Sequence, residues 1–342
     1  MKILVILTGG TISMVRNPQT GALRPADTDT FKAFVPELFA ADMDIDMMPF
    51  EPLIDSSDVN PNDWVRIAQI IYKNYEAYDG FVVLHGTDTM SYSSSALSFM
   101  LQNLQKPIVF TGSQLPVGIL RSDAKENLLT AIEIAAAKDE KGNSFVPEVC
   151  LYFNGKLFRA NRTSKNNAEH FEAFVSNNYP SLAKAGVHIH YRKRLIRYPE
   201  GNPSLTLFQH IDPNVAVIKL FPGITEHLVD AILNAPNLHG VVLETYGAGN
   251  APSCPWLYEQ IKAAVDRGIV IVNKTQCSTG SVEMGRYEVS MNLLKAGVIS
   301  GYDITTEALL AKMMLVLGEY AGNNLKIKQR LQQDIAGEMT IN

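Results

Sequence analysis

Three short segments gather hydroxyls beside carboxylates or glycines: Thr8-Gly9-Gly10-Thr11, Asp55-Ser56-Ser57-Asp58 and His85-Gly86-Thr87-Asp88-Thr89. A hydroxyl is a weak nucleophile at neutral pH until a base takes its proton, and a lysine does so only where burial or a neighbour lets it shuttle one. Lys165 and Asp88 are candidates for that relay. Glycine-lined turns supply backbone N–H donors for the oxyanion of a tetrahedral intermediate, each worth about 3 kcal/mol in hydrolases. The Asp88 carboxylate with the Ser56 and Ser57 hydroxyls suits a small zwitterion, the carboxylate taking an ammonium and the hydroxyls a carboxylate. Singly, each segment also reads as local chemistry: Gly-Gly-Thr as a tight turn with a cap, Ser and Asp as turn formers. Together they have the composition of an amino-acid site. The chain carries no GxxxxGK[ST] and no GxGxxG, so phosphoryl and hydride transfer lack their usual signatures, and neither a metal nor a cofactor is expected.

Convergence of these segments depends on the elements that carry them. Ile3 to Leu7 and Phe81 to Leu84 are short apolar runs with the length of strands buried on both faces, and each ends in one of the glycine-threonine turns. A third run, Ile108 to Thr111, ends in Gly112, Ser113 and Gln114. Helices are expected over about 29–39, after Asn60 as N-cap with Pro61 in the first turn, after Thr89, and from about Asp123 to Ala137. Residues 16–28 lack any period and read as a loop. Strands alternating with helices give an α/β fold with a larger N-terminal, doubly wound, mainly parallel sheet. Turns at the ends of neighbouring parallel strands share one edge, so their side chains can meet in one crevice. Between about Gly186 and Pro213 the rhythm breaks among Pro199, Gly201, Asn202 and Pro203. The domains are therefore set at 1–185, a linker at 186–212, and a smaller C-terminal α/β domain at 213–342.

With 342 residues, 46% hydrophobic and 19% charged, the chain is long enough for two cores. A net charge of -5 argues against a nucleic-acid partner. Cys150, Cys254 and Cys277 are odd in number and form no CxxC pair, which suggests neither a disulfide framework nor a zinc site. The apolar part of MKILVILTGG is shorter than a signal peptide's core, and no later run approaches the roughly 18 apolar residues of a membrane helix. A cytoplasmic protein with no membrane partner is the expectation.

TGGTIS at 8–13 and VVLHGTDTM at 82–90, with DSSD between them and RTSK at 162–165 after them, closely resemble the bacterial-type L-asparaginases, specifically the cytoplasmic type I branch. The resemblance runs the whole chain, through TGSQLP at 111–116, YGAGNAP at 246–252 and TQCSTG at 275–280. It implies a large N-terminal α/β domain holding the catalytic residues, a smaller C-terminal one, and hydrolysis of L-asparagine to aspartate and ammonia without a cofactor. Thr11 matches the usual nucleophile; Thr87, Asp88 and Lys165 match a triad; Ser56, Ser57 and Asp58 match substrate-binding positions. The resemblance further implies a homotetramer, a dimer of dimers in which a neighbouring subunit completes each site, with Asn250 as the candidate for that contribution.

Two departures follow. Many relatives carry a tyrosine on the loop after the first motif, where this chain has Ala22. Some type I enzymes bind asparagine at a regulatory site near the positions of Ser164, Tyr246, Asn250 and Cys277; here Glu244 stands where an arginine is expected, and a carboxylate there repels the effector's own. Weak or absent activation by asparagine is expected. Three activities remain open: an asparagine amidohydrolase, a glutaminase-asparaginase of broad specificity, and an amino-acid sensor that kept the pocket and lost turnover.

Overall fold

The first apolar run forms β1 (Lys2–Gly9), buried along almost its whole length. It lies inside an eight-stranded sheet with β2 (Asp44–Ile54), β3 (Gly80–Leu84), β4 (Ile108–Thr111), β5 (Val149–Phe153), β6 (Lys156–Arg159), β7 (Ala183–Ala185) and β8 (Ile189–Tyr191). The sheet order is β8-β7-β6-β5-β4-β3-β1-β2. Pairing is parallel from β2 through β1, β3 and β4 to β5, and antiparallel from β5 to β8. The chain thus starts in the middle, steps to one edge, then crosses β1 to build the other side. That reversal opens a crevice outside the carboxyl ends of β1 and β3. The computed structural model describes residues 1–16, 23–25, 29, 33, 35–39, 43–201, 203–285 and 288–341.

Three helices brace this edge. α1 (Pro61–Asn74) begins with a complete capping box, Asn60 accepting from the helix and Asp63 accepting from the Asn60 N–H, and buries Trp64, Ile67, Ala68 and Ile71. α2 (Met90–Met100) follows the β3 exit and has almost every side chain buried. α3 (Ala124–Ala136) closes the sheet face formed by Ile3, Val5, Leu7, Val82, Leu84 and Val109 with Leu128, Ala131, Ile132 and Ala135.

The chain divides into two compact units, Met1–Leu207 and Phe208–Asn342. The segment expected as a linker over 186–212 is mostly first-unit structure: β8 pairs with β7, and Thr206–Leu207 pairs with Leu101–Gln102. Short antiparallel pairings of three or two residues carry too little periodic signal to be read from sequence. Two further readings change. β2 was not expected, because Pro49 and Pro52 interrupt a segment in which only Phe50 is fully buried; an edge strand tolerates both. Within the expected 16–28 loop, Leu23–Pro25 pairs with Met14–Arg16. Of the expected 29–39 helix, the described Asp29 and Ala33 are helical and Pro36–Phe39 is a short 3₁₀ turn. Ala22 lies outside the described residues.

The second unit holds a four-stranded parallel sheet in chain order, β9 (Val215–Lys219), β10 (Gly240–Thr245), β11 (Val270–Thr275) and β12 (Ile299–Ser300). α4 (Glu226–Leu233), α5 (Pro255–Asp266) and α6 (Glu288–Lys295) pack into one core with Val241, Leu243, Ile269 and Ile271. α7 (Thr306–Glu319), whose Met313 and Leu317 sit against Gly240, packs against β10, with α8 (Asn324–Leu331) beside it. Among the described residues no helix is long and apolar enough to cross a membrane.

Candidate active site

Backbone contact between glycines brings the three hydroxyl-bearing turns together. Gly10, at φ 79°, is pressed against Gly86, so that a Cβ on Gly10 would overlap the Gly86 Cα and nitrogen. A Cβ on Gly86 would in turn collide with the Ser56 side chain. No other residue permits both approaches. The β1 exit, the 55–58 turn and the β3 exit therefore touch, and two hydrogen bonds fasten them: Thr8 Oγ1 donates to the Leu84 carbonyl at 2.9 Å, and Thr89 Oγ1 donates to the Ser56 carbonyl at 2.6 Å.

Lys165 reaches this edge from far along the chain. It sits in a two-residue strand, Ser164–Lys165, paired antiparallel with Phe174–Val175. The Thr163 and Ser91 hydroxyls, 3.1 Å apart, tie the strand's entry to the first turn of α2. From there Lys165 Nζ donates to Thr87 Oγ1 at 2.8 Å and to Asp88 Oδ1 at 2.6 Å. The Lys165 side chain is 20% exposed and that of Asp88 63%. An ion pair so open to water contributes at most about 1 kcal/mol to stability, so its role is to hold the amine on the hydroxyl.

The other expected residues fall as follows. Thr11 opens a 3₁₀ turn, Thr11–Ser13, directly after Gly10, and is half-buried; its proximity to the Thr87 turn comes through the Gly10–Gly86 contact. Ser56 is buried beneath Gly86, while Ser57 and Asp58 on the same turn are exposed. The Ser57 N–H and hydroxyl both donate to Asp55 Oδ1 at 2.9 Å and hold the Asp55 carboxyl below the usual range. Ser164 stands beside Lys165, half-buried. Asn250, Tyr246 and Cys277 belong to the second unit. Tyr246 and Asn250 exchange backbone hydrogen bonds of 2.9 and 2.8 Å, and Cys277 is exposed with its N–H on Thr275 Oγ1. Buried Glu244 accepts from the Thr306 hydroxyl at 2.7 Å.

Two residues at the same edge were not singled out for a role. Gln114, at the β4 exit, accepts from Thr87 Oγ1 at 3.4 Å. His85, the last residue before Gly86, is buried with Nδ1 2.7 Å from the Gly86 carbonyl and Nε2 without a partner. Burial pushes its imidazole below the usual pKa, so it is neutral, and Nδ1–H donates to Gly86. Both belong to quoted motifs, yet only coordinates show what they touch. The resulting edge offers a hydroxyl held by an amine, a second hydroxyl on a glycine turn, an exposed carboxylate, and the first-turn N–H groups of α2, which have no intrahelical acceptor.

Comparison with known proteins gives the chain's relatives. The family model described as "Asparaginase, N-terminal" matches residues 2–197, and that described as "Glutaminase/Asparaginase C-terminal domain" matches residues 214–331. L-asparaginase 1 of Escherichia coli K12 is 42% identical over 99% of this chain and 98% of its own. The 60 kDa lysophospholipase of Mus musculus is 40% identical over 99% of this chain, which spans 63% of that longer protein. Among solved structures, L-asparaginase I from Vibrio cholerae superposes with a TM-score of 0.89 at 40% identity, covering 99% of both chains.

Proposed function

This chain belongs to the asparaginase family, and on that premise we propose how its residues act. It hydrolyses the side-chain amide of L-asparagine to L-aspartate and ammonia. Thr11 Oγ1 attacks the amide carbon as its proton passes to the Thr87–Lys165–Asp88 group, and the carbonyl oxygen becomes an oxyanion held by backbone N–H groups of the glycine turns and the α2 first turn. Collapse of that intermediate breaks the C–N bond, and the leaving nitrogen takes a proton from the Thr87–Lys165–Asp88 group and departs as ammonia. A water then attacks the resulting ester and gives its proton to the same group, which returns it to the departing Thr11 oxygen, releasing aspartate and restoring the Thr11 hydroxyl. Asp88 meets the substrate's ammonium, and Ser56, Ser57 and Asp58 hold its α-carboxylate and ammonium end. Glutamine is the poorer substrate, because one added methylene displaces the amide from these donors.

The observation that most supports this reading is the contact of Lys165 Nζ with both Thr87 Oγ1 and Asp88 Oδ1 at a sheet switch point. The protein is also read as a cytoplasmic homotetramer built from close dimers, in which Asn250 acts on a neighbouring copy's site. Ammonia release from asparagine and glutamine tests the chemistry: Thr11→Ala, Thr87→Ala and Lys165→Met are each expected to lower kcat by about 10²- to 10⁴-fold. Near wild-type turnover in Thr87→Ala would refute the triad, and equal release from both amides would refute the preference. Sedimentation velocity reads the assembly.

A further inference from the structure

We propose that the β8 edge of the large sheet is a docking site for an extended acidic segment of another protein, which adds as a strand to β8 and sets its carboxylates on a row of basic side chains. The proposal does not depend on the catalytic reading.

In a chain of net charge -5, the stretch from Ala173 to Pro199 holds no aspartate or glutamate, yet it carries five lysines and arginines and two histidines. The fold lines up part of this charge. Antiparallel register places Lys156 of β6 opposite Lys184 of β7, and Lys184 opposite His190 of β8, so the three share one face. Leu157, Ala183, Ile189 and Tyr191 take the other face, against the core. Lys184, His190 and the flanking Arg192, Lys193 and Arg194 are exposed. Lys156 has Glu172 at 2.8 Å; among the described residues no carboxylate lies within ion-pair distance of the other five. Like charges directly opposite one another on a sheet are destabilising, so this row costs the free protein stability that a carboxylate partner would restore.

The backbone offers the matching half of the site. β8 is the last strand in the sheet order, so one of its edges has no neighbouring strand among the described residues. The Arg192 N–H donates to the Leu182 carbonyl at 2.8 Å and the Gly186 N–H to the His188 carbonyl at 3.2 Å. Antiparallel hydrogen bonds alternate, so His190, midway between residues 188 and 192, also turns its N–H and C=O toward β7. Ile189 and Tyr191 therefore turn theirs to the open edge. The Tyr191 ring stacks on Phe145 with centroids 4.8 Å apart, which holds that edge in place. A strand added antiparallel here pairs with Ile189 and Tyr191, and its residue opposite His190 falls at a non-hydrogen-bonded position, where side chains lie closest. An acidic residue there ends the row Lys156–Lys184–His190 with the anion it lacks, and the flanking cations favour negative charge along the rest of the segment. A lipid surface is the poorer occupant, because the β7–β8 hairpin exposes one large apolar side chain at its tip, Val187, too little apolar area to anchor a protein. Nucleic acid would use the cations and leave the open backbone groups unpaired. β8 stands five strands from β3, about 24 Å at ordinary strand spacing, so docking and turnover can be read separately.

The test uses the full chain and a fluorescein-labelled peptide of about seven residues, the length of an ordinary strand, that alternates glutamate with threonine; fluorescence anisotropy reads binding. Two control peptides keep the length: one has lysine for glutamate, the other has proline for the central threonines, whose N–H groups would face β8. Saturable binding of the glutamate peptide is expected, about 10-fold weaker for the prolyl peptide and undetectable for the lysine one. Lys184→Gln/His190→Gln is expected to weaken binding about 10-fold and Lys184→Arg less than about 2-fold, with turnover of L-asparagine within about 2-fold of wild type as the control on folding. Absence of saturable binding would overturn the proposal. So would equal affinity for the prolyl peptide, which leaves an anion site without strand pairing. Tighter binding of a single-stranded oligonucleotide, or of phosphatidylserine vesicles, would give the face to a different partner and overturn it as well. If the charges serve only to keep the edge from pairing with itself, Lys184→Gln/His190→Gln self-associates in sedimentation velocity while wild type binds no peptide, and the proposal falls.

Discussion

Each unit of this chain ends a parallel sheet in a row of turns, and the two rows are built differently. In the first unit the exits of β1 and β3 flank a reversal of strand order and are lined by Gly10, Gly86 and the threonines Thr11 and Thr87. In the second unit strands β9 to β12 follow one another without reversal, and their ends carry Lys219, Glu244 and Lys274 in one cross-strand row. There the charges answer one another: Glu244 lies 3.9 Å from Lys219 and accepts from Thr306 at 2.7 Å. Burial pulls the Lys274 amine below its usual pKa while Glu244 opposes that shift. Two sheets with parallel strands thus yield one edge whose backbones approach closely at glycines, and one edge where Glu244 is answered by Lys219 and Thr306. A parallel sheet alone does not make a site; the reversal of strand order and the glycines do.

Glycine substitutions set the two edges apart with the largest expected effect. In Gly86→Ala the new methyl meets the Ser56 side chain and the Gly10 Cα, so the 55–58 turn and the β1 exit must part. The expected loss in kcat/KM is about 100-fold, with a stability cost of about 1–3 kcal/mol from overpacking. Gly247, in the second unit after β10, has φ 48° but open space around a Cβ. Gly247→Ala should cost only about 1–2 kcal/mol of backbone strain and leave kcat within about 2-fold. Steady-state kinetics and urea unfolding of both variants check this. Equal kinetic losses would mean that close approach at the first edge is not what sets it apart.

Much of the first edge is legible in the order of the amino acids alone. Strands β1, β3, β4 and β5 stand out as short apolar runs, β3 between Gly80 and Gly86, and Asn60 announces the helix it caps. β2 is hidden because an edge strand buries one residue in earnest and accommodates two prolines. The four proposed catalytic side chains can be named from motif and resemblance, whereas the Gly10–Gly86–Ser56 contact that assembles them is a property of packing. Gln114 and His85 are in plain view within TGSQLP and HGTDT, but their partners lie on a loop beyond residue 165 and on a carbonyl whose direction no motif encodes. In the second unit Glu244 is recognisable as a departure, while its pairing with Thr306 and Lys219 is not.

Acid should also distinguish the edges. His85 is buried at the first with its ring beside Phe110 and, among the described residues, no charged partner in hydrogen-bond range, whereas the buried Glu244 at the second has Lys219 3.9 Å away. An unfolded histidine takes up a proton near pH 6.5; folded, His85 resists until lower pH because burial depresses its pKa. Between those two values the unfolded state binds more protons, so this residue's contribution is fully present above about pH 6.5 and is lost as pH falls, at up to about 1.4 kcal/mol per pH unit. Stability of His85→Asn, which keeps a donor for the Gly86 carbonyl and does not titrate, should depend less steeply on pH than wild type between about pH 6.5 and 5. Denaturant titrations at the two pH values read the difference, and parallel slopes would show that the imidazole is not the acid-sensitive group.

The smallest expected effect concerns Glu244 at the second edge. A regulatory asparagine bound there has to place its α-carboxylate on a cation, and Glu244 occupies the position where the family resemblance expects one. Lys219 does not replace it, since it leans on Glu244 from a largely exposed position, with 66% of its side chain open to water. An incoming carboxylate would have to displace that contact and face Glu244 itself, a repulsion without compensation. The rate of ammonia release should therefore rise hyperbolically with asparagine, with a Hill coefficient near about 1, and Ser164→Ala or Cys277→Ala should leave the curve's shape unchanged. If wild type instead gives a sigmoid that either substitution turns hyperbolic, then the charged row at the second edge accepts a ligand after all, and the contrast between a working edge and a self-satisfied one no longer holds.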